Sequence, residues 1–324
     1  MEEAKNQTII STLEQLLALY KKDPSLKFKC KALSTAIPLL QKYQEPILSG
    51  KQAMHEITGV GKGIAERIDE ILQTGSLVEL GVKNEKNDSI DVLKSITGVG
   101  DVRAQKWYDM GLRSVEDVRQ AITEKKITST HHIDMGLKYY EDMKERIPRA
   151  EIEKIEKKIK KVLKSIDREL VYEICGSYRR GQPSSGDIDL LVSHPKYMED
   201  IRTMKYLPQI VAQMSSSGLL VDHLTEDGDT KYMGFCKYNE KSKARRIDIR
   251  VVDYHSYYAA ILYFTGSQQL NIQMRNRAIE LKMSLNEYGL TSLETKTKIF
   301  VKSEEEIFQL LDIPYKTPIE RNLS

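Results

Sequence analysis

The chain has 324 residues and a net charge of +3, with 40% hydrophobic and 30% charged residues. This length allows two or three domains with a buried core, and this balance excludes a collagen-like or low-complexity chain. No apolar run approaches the roughly 20 residues of a membrane span. The opening MEEAKNQTII has no signal-peptide pattern, and Cys30, Cys175 and Cys236 are too few and too scattered for a disulfide framework or a zinc site. A reducing, intracellular setting and an anionic partner are therefore expected.

Residues 1–50 read as successive helices. Ile10, Leu13, Leu16, Leu17 and Tyr20 fall at helical spacing, Asp23-Pro24 breaks the run, and Lys31 to Gln41 continues as helix. Ile57-Thr58-Gly59-Val60-Gly61 then recurs as Ile96-Thr97-Gly98-Val99-Gly100. Each copy leads into a helix, Ile64 to Leu72 and Val102 to Met110, and the polar run Lys83 to Ser89 between them reads as a linker. Pro148 to Ile166 forms a long helix carrying Lys154, Lys157, Lys158, Lys160, Lys161 and Lys164. Strand signals follow at Val171–Cys175, Asp187–Val192 and Arg246–Val252, with a Gly/Asp turn at Glu226–Asp229. After Tyr257 the pattern returns to helix and ends in a mixed region with Pro314 and Pro318.

The Gly-Val-Gly turns allow a tight reversal and bring backbone N–H groups to the start of a helix, a setting that attracts phosphates. Two identical copies point to repeated contact with a nucleic-acid backbone through Gly59, Gly61, Gly98 and Gly100. The arrangement resembles the helix-hairpin-helix motif of DNA repair proteins. That resemblance implies a monovalent cation, Na+ or K+, held by the backbone carbonyls of His55, Ile57, Val60, Lys94, Ile96 and Val99.

The segment 175–189 reads CGSYRRGQPSSGDID. On a strand, residues i and i+2 share a face, so Asp187 and Asp189 project together with Ile188 behind them. Asp248 lies between Ile247 and Ile249 on a further strand. Neighbouring carboxylates repel unless a cation neutralises them or a proton is shared. All-oxygen ligands suit magnesium, and two such ions would activate a hydroxyl and stabilise a leaving pyrophosphate. Gly176 and Ser177 follow a strand, where backbone N–H groups and a hydroxyl can cradle a triphosphate, and Arg180 can neutralise it.

These residues resemble the nucleotidyltransferase superfamily. With RRIDIR, Tyr263-Phe264-Thr265-Gly266-Ser267 and Asn286-Glu287-Tyr288, they resemble more narrowly the family X DNA polymerases, nearest to DNA polymerase beta. The likeness runs from about residue 28 to the C-terminus. It implies a multidomain fold: an all-α N-terminal half with two helix-hairpin-helix motifs, then an α+β nucleotidyltransferase palm and a small α/β C-terminal subdomain. The expected bounds are a helical lyase-like DNA-binding domain at 1–82 (first hairpin 57–72) and a helical DNA-binding subdomain at 83–145 (second hairpin 96–110). A catalytic palm at 146–254 and a nucleotide-selecting subdomain at 255–324 complete them.

The resemblance further implies that Asp187, Asp189 and Asp248 bind two Mg2+ ions, with Mn2+ as a substitute, and that Asp248 helps activate the primer 3′-hydroxyl. It gives Arg146, Ser177, Arg180 and Gly186 as triphosphate contacts, and Tyr263 and Phe264 as a pair against the incoming sugar. Gly266-Ser267 matches a cis peptide of the family. Asn271 and Arg275 match minor-groove probes, Arg246 an arginine near the primer terminus, and Glu287 a residue coupled to closure. The implied activity is template-directed filling of short gaps in base excision repair. The partners would be dNTPs and gapped or nicked DNA with a 5′-phosphate. The enzyme would be a monomer without a membrane, in the nucleus of a cell or at a site of viral DNA replication. The Tyr263-Phe264 pair, the lack of a long extra segment before it and the lack of a further N-terminal domain favour a short gap-filling enzyme. Rival readings are a template-independent terminal transferase and a gap-binding scaffold with a decayed metal site.

The chain departs from the family in places. Arg67 stands where repair members carry the lysine that forms an imine with an abasic sugar, and Leu33 replaces a tyrosine of that pocket. A guanidinium cannot form the imine, so lyase activity is not expected, although Lys62 is a nearby substitute amine. Lys29 fits a 5′-phosphate-binding lysine. Gln268 replaces an aspartate that touches the incoming base, which predicts changed discrimination rather than lost activity.

Overall fold

The computed structural model of the protein describes residues 3–21, 26–81, 85–225 and 228–322. The chain forms two compact units, 1–128 and 129–324. Among the described residues, no helix is long and apolar enough to cross a membrane.

The described part of the first unit is helical: α1 Glu3–Tyr20, α2 Lys27–Lys42, α3 Gly50–Glu56, α4 Lys62–Thr74, α5 Val78–Gly81, α6 Glu85–Lys94, α7 Asp101–Asp109 and α8 Val115–Thr123. The periodic apolar face of α1 (Ile9, Leu13, Leu16, Tyr20) packs with Leu33, Ile37 and Leu40 of α2 and Ile64, Ile68 and Ile71 of α4. Asp23-Pro24 lies outside the described residues.

The two hairpins share one backbone geometry. Gly59 and Gly98 take φ of +109° and +87°, and Val60 and Val99 N–H each donate 3.0 Å to the carbonyls of Ile57 and Ile96. Gly61 and Gly100 then stand at the N-caps of α4 and α7. A Cβ on Gly59 would come within 2.8 Å of Leu39 Cδ1, so both conformation and packing require glycine there.

The run 83–89, expected to be a linker, is largely helix. Residues 82–84 are outside the described residues, but α6 starts at Glu85. Its C-terminal half reaches the buried Leu93, just before the buried Ile96, and α6 packs on α7. Burial of one apolar face thus extends helix back through a polar sequence.

The second unit comprises α9 His131–Lys138, α10 Tyr140–Met143, β1 Ile147–Pro148, α11 Arg149–Ile166, β2 Val171–Ile174, α12 Gly176–Arg179, β3 Ser184–Ser185 and β4 Ile188–Ser193. There follow α13 Tyr206–Ser216, β5 Leu220–His223, β6 Lys231–Cys236, β7 Arg245–Val251, α14 Tyr257–Thr265 and α15 Gln268–Glu280. The unit ends with β8 Met283–Asn286, β9 Gly289–Ser292, β10 Lys298–Ile299, α16 Glu304–Leu310 and a 3₁₀ turn at Pro318–Arg321. Glu226 and Asp227 of the expected turn lie outside the described residues.

A five-stranded sheet runs in the order β2-β4-β7-β6-β5, in which β4 and β7 are parallel neighbours. Strand alternation decides which side chains face which layer. Ile188, Leu190 and Val192 of β4 and Ile247, Ile249 and Val251 of β7 join Ile152, Ile155, Ile159 and Leu163 of α11 in one core. Leu191 faces the other way, toward Tyr257, Ala260 and Ile261 of α14. A three-stranded sheet, β10-β9-β8, packs with α14, α15 and α16 over Leu262, Met274, Leu290 and Phe308. The lysine row of α11 is exposed and stands on the sheet face away from α14, so it lies behind the strand residues that carry Asp189 and Asp248.

Candidate active site

The register of β4 on β7 pairs Asp189 directly with Asp248, and the alternation that buries their isoleucine neighbours turns both carboxylates to the α14 face. Asp187 stands at the mouth of β4, just before its first residue. Burial, then the charges of Asp187 and Asp248, push the Asp189 carboxyl up to about 7. Desolvation and the Asp248 charge also raise Asp187. Arg246 Nε donates 2.9 Å to Asp248 Oδ1, from the same face of β7. Asp189, Asp248, Arg250 and Phe264 line a small cavity, with the Arg250 guanidinium 4.6 Å from the Phe264 ring centre. The i, i+2, i+4 spacing of Arg246, Asp248 and Arg250 was the available sequence signal for Arg250.

The residues present fit divalent cations. The donor set is three carboxylates, and two of them, Asp187 and Asp189, are raised by burial and then by neighbouring carboxylate charge. Gly176, with φ +61°, faces them, and a Cβ there would fall 2.8 Å from Asp189 Oδ2. A side chain at this position would block the carboxylate. Among the described residues, the His/Asp/Glu group whose ligand atoms all lie within 4.8 Å of one another is a different one: Asp167, Glu169 and His194. These are occupied by protein partners. Asp167 accepts from Tyr206 Oη (2.7 Å) and lies 3.3 Å from His194 Nε2, while Glu169 meets Lys196 at 2.5 Å.

The turn after β2 gathers the expected triphosphate contacts. Ser177 Oγ donates 2.9 Å to Ser185 Oγ, and Arg146 donates from Nε (2.8 Å) and Nη2 (2.7 Å) to Ser184. A Cβ at Gly186 would meet nothing within 4 Å, so this loop is open. Arg180 Nη1 donates 2.5 Å to the Thr265 carbonyl at the end of α14, next to Gly266. The Gly266–Ser267 peptide is cis, and Ser267 caps α15 directly before Gln268. Tyr263 and Phe264 meet edge to face with centroids 5.0 Å apart. Asn271 Nδ2 donates 2.8 Å to the Tyr263 carbonyl, and the Arg275 guanidinium sits 5.0 Å over the Tyr263 ring. Glu287 lies on the tight β8–β9 turn. Next to Arg180, Arg179 pairs with the buried Glu304 at 2.7 Å, a tie that sequence reasoning missed because its partner is remote in the chain.

In the first unit, Arg67 is held on three sides. It donates to the Gly63 carbonyl (2.6 Å), Tyr20 Oη (2.9 Å) and Glu79 Oε1 (2.7 Å), and Tyr20 donates in turn to Glu79. The exposed Lys29 amine lies 5.4 Å from the Tyr20 ring centre. Leu33 is buried in the α1–α2–α4 core. Lys62 is 86% exposed and pairs at 4.0 Å with Glu66, away from Arg67. Tyr20 and Glu79 carry no motif and were not legible as part of this cluster.

Family models match most of the chain. They are described as a helix-hairpin-helix domain (residues 4–77), the fingers domain of DNA polymerase lambda (91–144), the DNA polymerase beta palm (146–254) and the DNA polymerase beta thumb (260–322). DNA polymerase lambda of Rattus norvegicus is 33% identical, over 98% of this chain and 56% of its own length. DNA polymerase lambda of Arabidopsis thaliana is 30% identical, over 89% of this chain and 57% of its own. The chain thus spans a little over half the length of these curated relatives.

Proposed function

The chain belongs to family X of the DNA polymerases, and from that premise we propose that it adds templated nucleotides to the primer 3′-hydroxyl in short DNA gaps. The observation that carries the reading is the Asp189–Asp248 pair on adjacent parallel strands, with Asp187 at its mouth and the Gly176–Arg180 turn opposite. Template-directed synthesis is also favoured by the Tyr263–Phe264 pair and the two phosphate-type hairpins.

In the proposed reaction the 3′-oxygen bonds to the α-phosphorus as the bond to pyrophosphate breaks, and the hydroxyl loses its proton. Bound divalent cations would acidify that hydroxyl and neutralise the phosphates. Asp187 and Asp189 would hold the nucleotide end of the site. Asp248, oriented by Arg246, would serve the primer end. Ser177, Arg146 and Arg180 would take the triphosphate, and the Tyr263–Phe264 edge would lie against the sugar. Lys29 would grip a 5′-phosphate on the far side of the gap, and the hairpin carbonyls would hold a monovalent cation. With Arg67 locked to Glu79 and Tyr20, 5′-sugar phosphate removal is not part of this reading.

The test is extension on a one-nucleotide gap bearing a 5′-phosphate, with and without template. We expect templated addition that needs Mg2+ or Mn2+ and stops with chelator. Asp248→Ala should cost several decades in rate, corresponding to several kcal/mol of lost transition-state stabilisation, while gapped-DNA affinity stays near parental. Extension by Asp248→Ala within tenfold of the parent, or addition indifferent to template, would overturn the reading.

A further inference from the structure

We propose that Asn322 is a positioning residue, setting the Arg180 guanidinium for the triphosphate of the incoming nucleotide. This rests on the reading of Arg180 as a triphosphate contact.

Asn322 grips Arg180 at both ends. Its Oδ1 accepts from Arg180 Nε at 3.0 Å, and its Nδ2 donates to the Arg180 carbonyl at 2.9 Å. The second fixed point is Arg180 Nη1, donating 2.5 Å to the Thr265 carbonyl beside the cis Gly266–Ser267 peptide. Nη2 has no hydrogen-bond partner among the described residues, so Nε and Nη1 are held while the Nη2 amino group is left for an anion. A planar fork gains from such fixing, because less rotamer freedom is lost when a phosphate arrives.

Asn322 is itself held in place. Its Nδ2 also donates 3.0 Å to the Ile319 carbonyl. The turn before it is closed by a Thr317–Glu320 capping box. The buried Arg321 donates 2.6 Å to Glu304 Oε1 and 2.9 Å to the Lys316 carbonyl. Glu304 Oε2 receives Arg179 Nη2 at 2.7 Å, so consecutive arginines of the phosphate turn are tied to the same C-terminal segment. Ile319 covers Gly181, where a Cβ would come within 3.3 Å of it. Of these C-terminal contacts, that of Asn322 Oδ1 is the one made to the Arg180 guanidinium.

The experiment measures kcat and KM for dNTP on gapped DNA with the full chain, for the parent, Asn322→Ala, Arg180→Ala and the double variant. Protein concentrations are corrected for the fraction that binds gapped DNA, and melting temperatures are recorded alongside. Rates are also taken with dNTPs whose β,γ-bridging group is varied, which changes leaving-group acidity. Asn322→Ala should lose about tenfold in kcat/KM, the worth of one oriented hydrogen bond, with DNA affinity unchanged. Its rate should depend more steeply on leaving-group acidity than the parent's, and it should cost nothing further on the Arg180→Ala background. Parental kinetics in Asn322→Ala, or an equal loss on both backgrounds, would overturn the proposal. An Arg180→Ala enzyme with parental kinetics would instead sink the reading of Arg180 on which it rests.

Discussion

A guanidinium stays protonated at physiological pH, so Arg67 cannot supply the neutral amine that imine chemistry needs. Its surroundings reinforce this. Glu79 and Tyr20 are arranged to hold a cation, and both would remain if the arginine became a lysine. A carboxylate at ion-pair distance keeps an amine protonated. Borohydride trapping on an incised abasic substrate should therefore be absent in the parent and weak in Arg67→Lys. It should rise in Arg67→Lys/Glu79→Gln, where the amine is released from its counter-charge. Efficient trapping by the parent that disappears in Lys62→Ala would show that another lysine performs the chemistry. Arg67 could be read from its place after Gly59-Val60-Gly61, whereas Tyr20 and Glu79 come from α1 and α5 and carry no local signal.

At the scale of elements, alternation made the core strands legible: Ile188-Asp189-Leu190 and Ile247-Asp248-Ile249 place their carboxylates opposite the core as the period of two requires. The polar start of α6 was not legible, because helix there depends on burying Leu93 rather than on its own composition. The end of α11 at Ile166 was legible, but the contacts that hold its cap were not. Asp167 caps α11, accepts from the Glu169 N–H at 2.9 Å and from Tyr206 Oη at 2.7 Å, and faces the buried His194. The Glu169 N–H, then the Tyr206 hydroxyl, hold its carboxyl below the usual range. A depressed carboxyl adds stability above its unfolded value of about 4 and loses it as pH falls through the folded value. Asp167→Asn should cost about 1–2 kcal/mol at pH 7. The gap between variant and parent should narrow as pH drops below about 4. Urea titrations at pH 7, 4 and 3 check this, and a gap that widened toward low pH would contradict the assignment.

For the molecule as a whole, a net charge of +3 says little until its placement is known. The densest basic row, on α11, is exposed on the sheet face opposite the carboxylates, with Lys158 folded back onto the Tyr238 carbonyl. The side of the sheet on which this row stands separates it from the catalytic face. Lys29, by contrast, is exposed beside Tyr20 and Arg67. These placements predict different salt responses. Each phosphate neutralised on duplex DNA contributes roughly 0.9 to the slope of log affinity against log salt. Lys29→Gln should flatten the slope for 5′-phosphorylated gapped DNA by about one such step and weaken binding across all sequences alike, since backbone contacts do not read bases. The triple change Lys157→Gln, Lys161→Gln, Lys164→Gln should leave the slope on a short gapped duplex unaltered, although it removes more positive charge. Fluorescence anisotropy across a salt series measures both. A slope that fell by about three steps in the triple variant would put α11 on the DNA and overturn this division of the surface.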